Sequence, residues 1–464
     1  MQVIETSEGR MKEAVRFILS SPARLTIVGF SALILLGTGL LMLPWSAEHD
    51  TIGFVNALFT ATSAVCVTGL TVVDTASAFS YFGQATILGL IQVGGLGFMT
   101  VSTLLLMMAG RRPSLSGRKA LQDTFTHGRE HTVPFILREV MIFTFAFEGV
   151  GAALMFPCFL PHGTAGNALY VSVFHSISAF CNAGFSLFPQ SLSPYREHWI
   201  LNWIVCLLVI CGGLGFPVLA EIRDCLVPGG RRLSRLSLHS KLVLSTTAFL
   251  LSAGAILIFF MESRNTLSSL SPPSGILAAF FQSVSARTAG FNTLPIGGMA
   301  NETLFLLILL MFIGASPGSC GGGIKTTTFS TLFVLGISRL RGHAFPVVFG
   351  RTISGISISK AVSVLMMSML VVFGGTLLLQ VTELGGVSHA LSRGKFLELY
   401  FEVVSAFGTV GLSTGVTGTL TVPGKFLIAL VMFVGRLGPL VVAAAVSRRL
   451  VARFRYAEES IMIG

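Results

Sequence analysis

"SAFGTVGLSTG", residues 405–415, lies between two long apolar stretches and carries almost no side-chain chemistry. Its centre, Thr409-Val410-Gly411-Leu412, offers one hydroxyl, some small apolar groups and a hydrogen. Three other stretches are built alike: "SAVCVTGLTV" at 63–72, "SAFCNAGFSL" at 178–187 and "SARTAGFNTL" at 285–294. Aligned on their glycines, they put Gly69, Gly184, Gly290 and Gly411 in one column at close to quarter-chain intervals. A second column follows each in step: "VGGLGF" at 93–98, "CGGLGF" at 211–216, "IGASPG" at 313–318 and "VGRLGP" at 434–439. Two columns in register across the chain define a fourfold internal repeat.

The repeat sits in a membrane composition. Of 464 residues, 52% are hydrophobic and 11% charged, whereas soluble domains carry roughly 25% charged residues. Leu25–Leu43 and Ala361–Val381 contain no charge and are long enough to span a bilayer. Two dozen residues, Glu5 and Glu8 among them, precede the first run. That run therefore reads as a retained span, not a signal peptide. The net charge of +11 is gathered in loops: around Arg10–Arg24, at 111–138, at 223–241, at 325–360 and at Arg448–Arg455. This distribution fits the positive-inside rule, with both termini cytoplasmic, and argues against nucleic acid as a partner. The seven cysteines lack metal-ligand spacing and read as free, buried thiols. No Ser/His/Asp set is placed for catalysis, so the expectation is that the chain is not an enzyme.

Each quarter reads as a long span, a half-length apolar stretch ending in the glycine motif, a second span and a basic loop. The expected repeats are 1–110, 111–225, 226–340 (with an interrupted inner helix) and 341–464. The half-length stretches are too short to cross and must re-enter on the side they came from. Non-helical backbone at membrane depth is tolerated where it lines a water-filled path. The expected fold is therefore an all-α polytopic membrane protein. Four span–pore loop–span units surround one central pore with pseudo-fourfold symmetry in the lipid bilayer. Main-chain carbonyls of the glycine motifs replace the hydration shell of a cation there. The pore helices add favourable partial charge at their C-terminal ends.

These repeats resemble the Ktr/Trk/HKT superfamily of potassium transporters, and "TVGL" resembles the filter of potassium channels. The absence of an extra span pair before the first repeat and the closing "EESIMIG" are most similar to the Ktr membrane subunit. The resemblance implies potassium uptake across the cytoplasmic membrane. It puts the selectivity filter at Val67-Thr68-Gly69, Asn182-Ala183-Gly184, Thr288-Ala289-Gly290 and Thr409-Val410-Gly411. Glycine in all four columns implies potassium as the ion, with sodium-coupled or sodium-permeable transport as the alternative. A membrane-embedded enzyme is the alternative from another class. The resemblance also implies a homodimer, with the apolar end Ile461-Met462-Ile463-Gly464 at its interface, and a separate cytosolic ring of nucleotide-binding regulatory subunits docked on the basic loops.

The third repeat breaks the pattern in its second span. "GASPGSCGGGIKTTT" places Gly314, Ala315, Ser316, Pro317, Gly318, Ser319, Cys320, Gly321, Gly322 and Gly323 where a helix is due, and Lys325 just beyond. Glycine and proline disfavour a helix interior, so the span is expected to be interrupted and to form a movable gate. A phosphate-binding loop is disfavoured, because Ile324 separates Gly323 from Lys325 and no strand precedes. Arg436 is the basic residue deep in an uninterrupted apolar run. It reads as a gate element bonded to loop carbonyls, with a structural pairing to Glu148 or Glu402 as the alternative. Arg287 and Glu402 read as braces, and "GGLGF" as close-packing sites.

Overall fold

The computed structural model describes residues 22–48, 51–97, 133–226, 236–343 and 345–446. Most of the basic residues at 111–132, 231–235 and 448–455, and the apolar end 461–464, lie outside these residues. The described chain is almost wholly helical, with one two-stranded antiparallel hairpin at Val347–Val348 and Arg351–Thr352. Four helices are long and apolar enough to cross a membrane: α1 (Pro22–Leu41), α4 (Val133–Phe159), α8 (Leu238–Glu262) and α12 (Gly355–Leu384). They are the first spans of the four repeats.

Each is followed by a short helix: α2 (Phe54–Val65), α5 (Ala165–Phe180), α9 (Pro272–Ser285) and α13 (Lys395–Gly408). The shortest has 12 residues, and at 1.5 Å per residue such helices reach about halfway through 30 Å of hydrocarbon. Their C-terminal halves are buried, apolar and polar residues alike: Phe59, Phe174, Phe281 and Phe401 occupy one column, each at most 2% exposed. These are re-entrant helices held inside the protein, not lipid-facing spans.

The second spans, expected at 84–108, 199–220, 302–335 and 424–446, depart from the sequence reading in the first, second and fourth repeats, where it expects a continuous helix; in the third the expected interruption is present. The observed helices are α3 (Tyr81–Leu96), α6 (Trp199–Leu214) with α7 (Phe216–Leu226), α10 (Asn301–Phe312) with α11 (Thr326–Leu340), and α14 (Val422–Leu437) with α15 (Pro439–Val446). Three stop at a glycine with left-handed φ, namely Gly97 (83°), Gly215 (91°) and Gly438 (84°). A Cβ would oppose that conformation. Between α6 and α7 the axis turns by 107°, and in the third repeat the interruption widens to a loop. The span reading missed the breaks at Gly97, Gly215 and Gly438 because Leu, Phe and Val around each glycine keep the hydropathy high.

Packing joins the repeats in a cycle. Each inner helix lies against the pore helix of the next repeat: α3 on α5, α6 on α9, α10 on α13 and α14 back on α2. Close approach within a repeat comes from the second glycine column. A Cβ on Gly94, Gly212 or Gly435 would lie under 3.0 Å from the carbonyl of Val65, Phe180 or Phe407 respectively. This is the close packing that "GGLGF" predicts. Replacing Gly212 by Ala forces backbone apart and should destabilise the protein by about 1–3 kcal/mol. Gly89→Ala, in the middle of α3 with open space at the Cβ, should stabilise it by roughly 0.5–1 kcal/mol through helix propensity. Thermal unfolding in detergent checks the opposite signs.

Candidate functional site

The four glycine motifs meet. A Cβ built on Gly69 falls under 3.0 Å from the Ala183 carbonyl, on Gly184 from that of Ala289, on Gly290 from that of Val410, and on Gly411 from that of Thr68. The glycines therefore form a closed ring in repeat order, with no room for a side chain. Along each strand the sign of φ alternates. It is positive at Val67 (55°), Asn182 (58°), Thr288 (67°) and Thr409 (49°), not at the next residue, and positive again at Gly69, Gly184, Gly290 and Gly411. Alternation of this kind turns successive carbonyls to one side of the strand.

Hydrogen bonding shows which side. The N–H groups of Thr68, Ala183, Ala289 and Val410 donate to the carbonyls of Ser63, Ser178, Ser285 and Ser405, at 2.8, 2.7, 3.0 and 2.9 Å. The hydroxyls of Ser63 and Ser405 accept the N–H of Gly69 (3.1 Å) and Gly411 (3.2 Å). Those of Ser178 and Ser285 donate to the carbonyls of Phe185 (2.7 Å) and Phe291. One buried serine per repeat thus brackets its strand. Among the described residues, no carbonyl of the twelve predicted filter residues accepts a hydrogen bond from the protein. The N–H groups of Val67, Thr68, Gly69, Asn182, Ala183, Ala289, Gly290, Thr409, Val410 and Gly411 are bound behind the strand, which leaves the oxygens for the ring's interior. The sequence reading quoted these serines without assigning them. Their fixed place in "FTATSA", "FHSISA", "FQSVSA" and "FEVVSA" was the available signal.

Above the glycine ring lies a cavity of about 800 Å³, lined by all four glycines and by polar groups including Thr71, Asp74, Ser186, Asn292 and Ser413. On the other side, next to the first filter residues, runs the loop of the third repeat. The Gly322 N–H donates to the Thr409 hydroxyl at 3.0 Å. A Cβ on Gly321 would meet the Thr288 hydroxyl closer than 3.0 Å. The N–H groups of Ser316 and Cys320 donate to Gly213 and Gly212 (3.0 and 3.1 Å), and the Gly318 carbonyl accepts from Phe216 (3.0 Å). Ser319 folds back on the Ser316 carbonyl at 2.6 Å. Thr326 bonds Ser316 at 3.0 Å, and Lys325 donates to the Gly321 carbonyl at 2.6 Å. Ile313 and Ile324 close the loop's base as a parallel bridge.

Arg436 completes the contact. Its guanidinium donates to the carbonyls of Cys320, in the loop, and Gly94, at the end of α3. The side chain occupies the register that Gly95 and Gly213 hold in the first two repeats. Through these bonds the loop is tied to all four repeats directly beneath the ring. Pairing of Arg436 with a buried acid is not observed. Glu148 instead accepts from Gln92 at 3.0 and 3.1 Å, and Glu402 from Thr417. Arg287 donates to the Gly314 carbonyl at 3.2 Å, so it braces the loop of the third repeat, a partner that sequence reasoning did not name. All seven cysteines are free, and among the described residues no cluster of His, Cys, Asp and Glu is arranged to hold a metal ion.

Comparison with known proteins matches this arrangement. The model of the TrkH family, described as a cation transport protein, matches residues 10–451. The chain is 38% identical over 454 residues to the Ktr system potassium uptake protein B of Bacillus subtilis, covering 97% of this chain and 99% of that one. It is 37% identical over 461 residues to the potassium/sodium uptake protein NtpJ of Enterococcus hirae, covering 98% and 99%. The crystal structure of the potassium transporter TrkH from Vibrio parahaemolyticus superposes with a TM-score of 0.72 at 18% identity, over 91% of this chain and 83% of that one. With apolar spans, the closed packing cycle and full-length similarity together, the chain belongs to the TrkH family of cation transport proteins.

Proposed function

We propose that this protein takes up potassium across the cytoplasmic membrane, passively, through a pore whose selectivity filter is the ring of carbonyls at Val67–Gly69, Asn182–Gly184, Thr288–Gly290 and Thr409–Gly411. One observation carries the reading: twelve carbonyls without protein donors converge where four glycines close a ring at the floor of a polar cavity. Such oxygens substitute for the water shell of a cation without offering a proton or a nucleophile. The Bacillus relative is a potassium uptake protein and the Vibrio structure is of a potassium transporter. The Enterococcus name adds sodium, and sodium permeation is the second reading, because Thr-Val-Gly occurs in the fourth strand alone. Fluxes of potassium, rubidium, sodium and lithium into liposomes holding the purified protein separate the two readings. Gly69→Ser puts a side chain against the Ala183 carbonyl and should abolish most of the preference for potassium over sodium while assembly persists.

In the same reading, residues 314–323 with Lys325 and Arg436 form the gate. The loop lies under the ring, and Arg436 adds a fixed positive charge there that opposes a cation in low dielectric. Losing a charged hydrogen-bond donor to the loop should weaken closure by about tenfold or more. Arg436→Ala, and deletion of Gly318–Gly322, should each raise potassium flux by that order, and the double variant should add little. Lower flux in both, at normal expression, would make the loop a support of the pore.

The assembly we propose is a homodimer with both termini cytoplasmic, regulated by a separate cytosolic ring of nucleotide-binding subunits. The supports are the Ktr-system name of the relatives and the basic residues gathered between spans. Native mass spectrometry of the purified protein should return the dimer mass, and thiol labelling of cysteines introduced at 115 and 232 from each side of the membrane should place those loops inside.

A further inference from the structure

Behind the filter the four pore helices repeat a second feature. The residue after the columnar phenylalanine is polar in every repeat: Thr60, His175, Gln282 and Glu402, each at most 1% exposed. Burying such groups is costly without partners, yet only two of the four reach the strand that leaves their own filter turn. His175 Nδ1 lies 2.9 Å from the Val171 carbonyl, which can only accept, so Nδ1 carries the proton. Nε2 is then free to accept from the Ser186 hydroxyl 3.0 Å away, and the ring stacks on Phe188 at 4.9 Å. Glu402 accepts from Thr417, whose oxygen lies 2.9 Å from the Ser413 hydroxyl. Ser186 and Ser413 stand two residues beyond Gly184 and Gly411 and line the cavity over the ring.

The other two corners differ. The Thr60 hydroxyl and both amide atoms of Gln282 have no partner among the described residues. The third strand is held sideways instead: Asn292 donates through its N–H to the Ser191 hydroxyl (3.2 Å), and its carbonyl accepts from Leu192 (3.1 Å). The ring order puts repeats two and four on one diagonal, so among the described residues this second tie, added to the serine bonds that all four repeats share, occurs at two opposite corners.

We propose that His175 and Glu402 are positioning residues for ion preference. They hold the Ser186 and Ser413 strands, and with them the last carbonyl of each filter turn, at the spacing potassium requires. The proposal rests on the filter reading above. Neither residue touches the ion. Each acts through a hydroxyl that would otherwise leave its strand free to follow a smaller cation inward.

The test is the potassium-to-sodium flux ratio in proteoliposomes. Loss of one buried hydrogen bond corresponds to a change of about two- to tenfold, so Glu402→Leu and Thr417→Val should each lower the ratio about five- to tenfold, and Glu402→Gln, which keeps an acceptor, by no more than about twofold. His175→Phe should lower it likewise, and His175→Gln should restore part of it. Thr60→Val and Gln282→Leu, equally buried but unbonded to their strands, should leave the ratio as it is. An equal loss in these last two would make the effect general core damage and overturn the proposal. An unchanged ratio in Glu402→Leu and Thr417→Val, while Gly69→Ser shifts it, would overturn the proposal and leave the filter reading intact. If Gly69→Ser does not shift it either, the filter reading fails first. Should Glu402→Leu not assemble, Thr417→Val decides, since it is close to isosteric and keeps the carboxyl.

Discussion

The four glycine strands keep their oxygens free of protein donors toward the ring, while N–H groups a few ångströms away find acceptors inside the protein. An unpaired buried amide costs on the order of several kcal/mol, and four strands carry such groups side by side. The bracketing serines Ser63, Ser178, Ser285 and Ser405 resolve the conflict by taking the N–H groups behind each strand. Their carbonyls are the exposed end of a pore helix, so the feature that terminates the helix also anchors the turn that follows. The buried phenylalanine column one turn earlier fixes the helix against its neighbours. Every other element, from the long spans to the kinked inner helices, serves to hold these four helix ends facing one another.

The fourfold plan was legible because two glycine columns survive in sequence where little else repeats. Gly69, Gly184, Gly290 and Gly411 are favoured by a positive φ and by close contact with the next repeat, so any side chain there disturbs the ring. The interruption at 314–323 was legible for the same reason, since glycine and proline declare themselves. What sequence reasoning missed are devices spelled in ordinary residues. Serine in an apolar helix resembles any small polar residue, and the breaks at Gly97, Gly215 and Gly438 hide among bulky apolar neighbours that keep the hydropathy high. Arg287 was noticed but placed against the filter. Its partner, Gly314, is near in space only because the third inner helix is broken.

The third repeat differs from the second and fourth by a loop where their helices resume directly after one glycine, and the fourth differs by an arginine where the first two have glycine. The two departures are complementary. Arg436 stands where Gly95 and Gly213 stand in the first two repeats, and it bonds the loop of the third repeat and the end of α3. The ring is therefore regular where the strands meet and irregular immediately below. This is the arrangement expected if one layer discriminates among ions and another controls whether they pass.

The packing cycle has a further meaning for how the chain is made. The pore helix α2, near the beginning, is covered by α14, near the end. Lys425 reaches Asn56 across that seam at 3.3 Å, and Arg24 donates to the Ala445 carbonyl at 3.0 Å. A ribosome delivering this protein inserts the first re-entrant segment long before its cover exists. Contacts of such sequence separation form late. During synthesis the first repeat must wait with its filter strand unenclosed, sheltered by lipid, insertion machinery or neighbouring chains. Quality control in the cell therefore falls on the last inner helix. A chain stopped before α14 would possess three complete repeats and no closed ring.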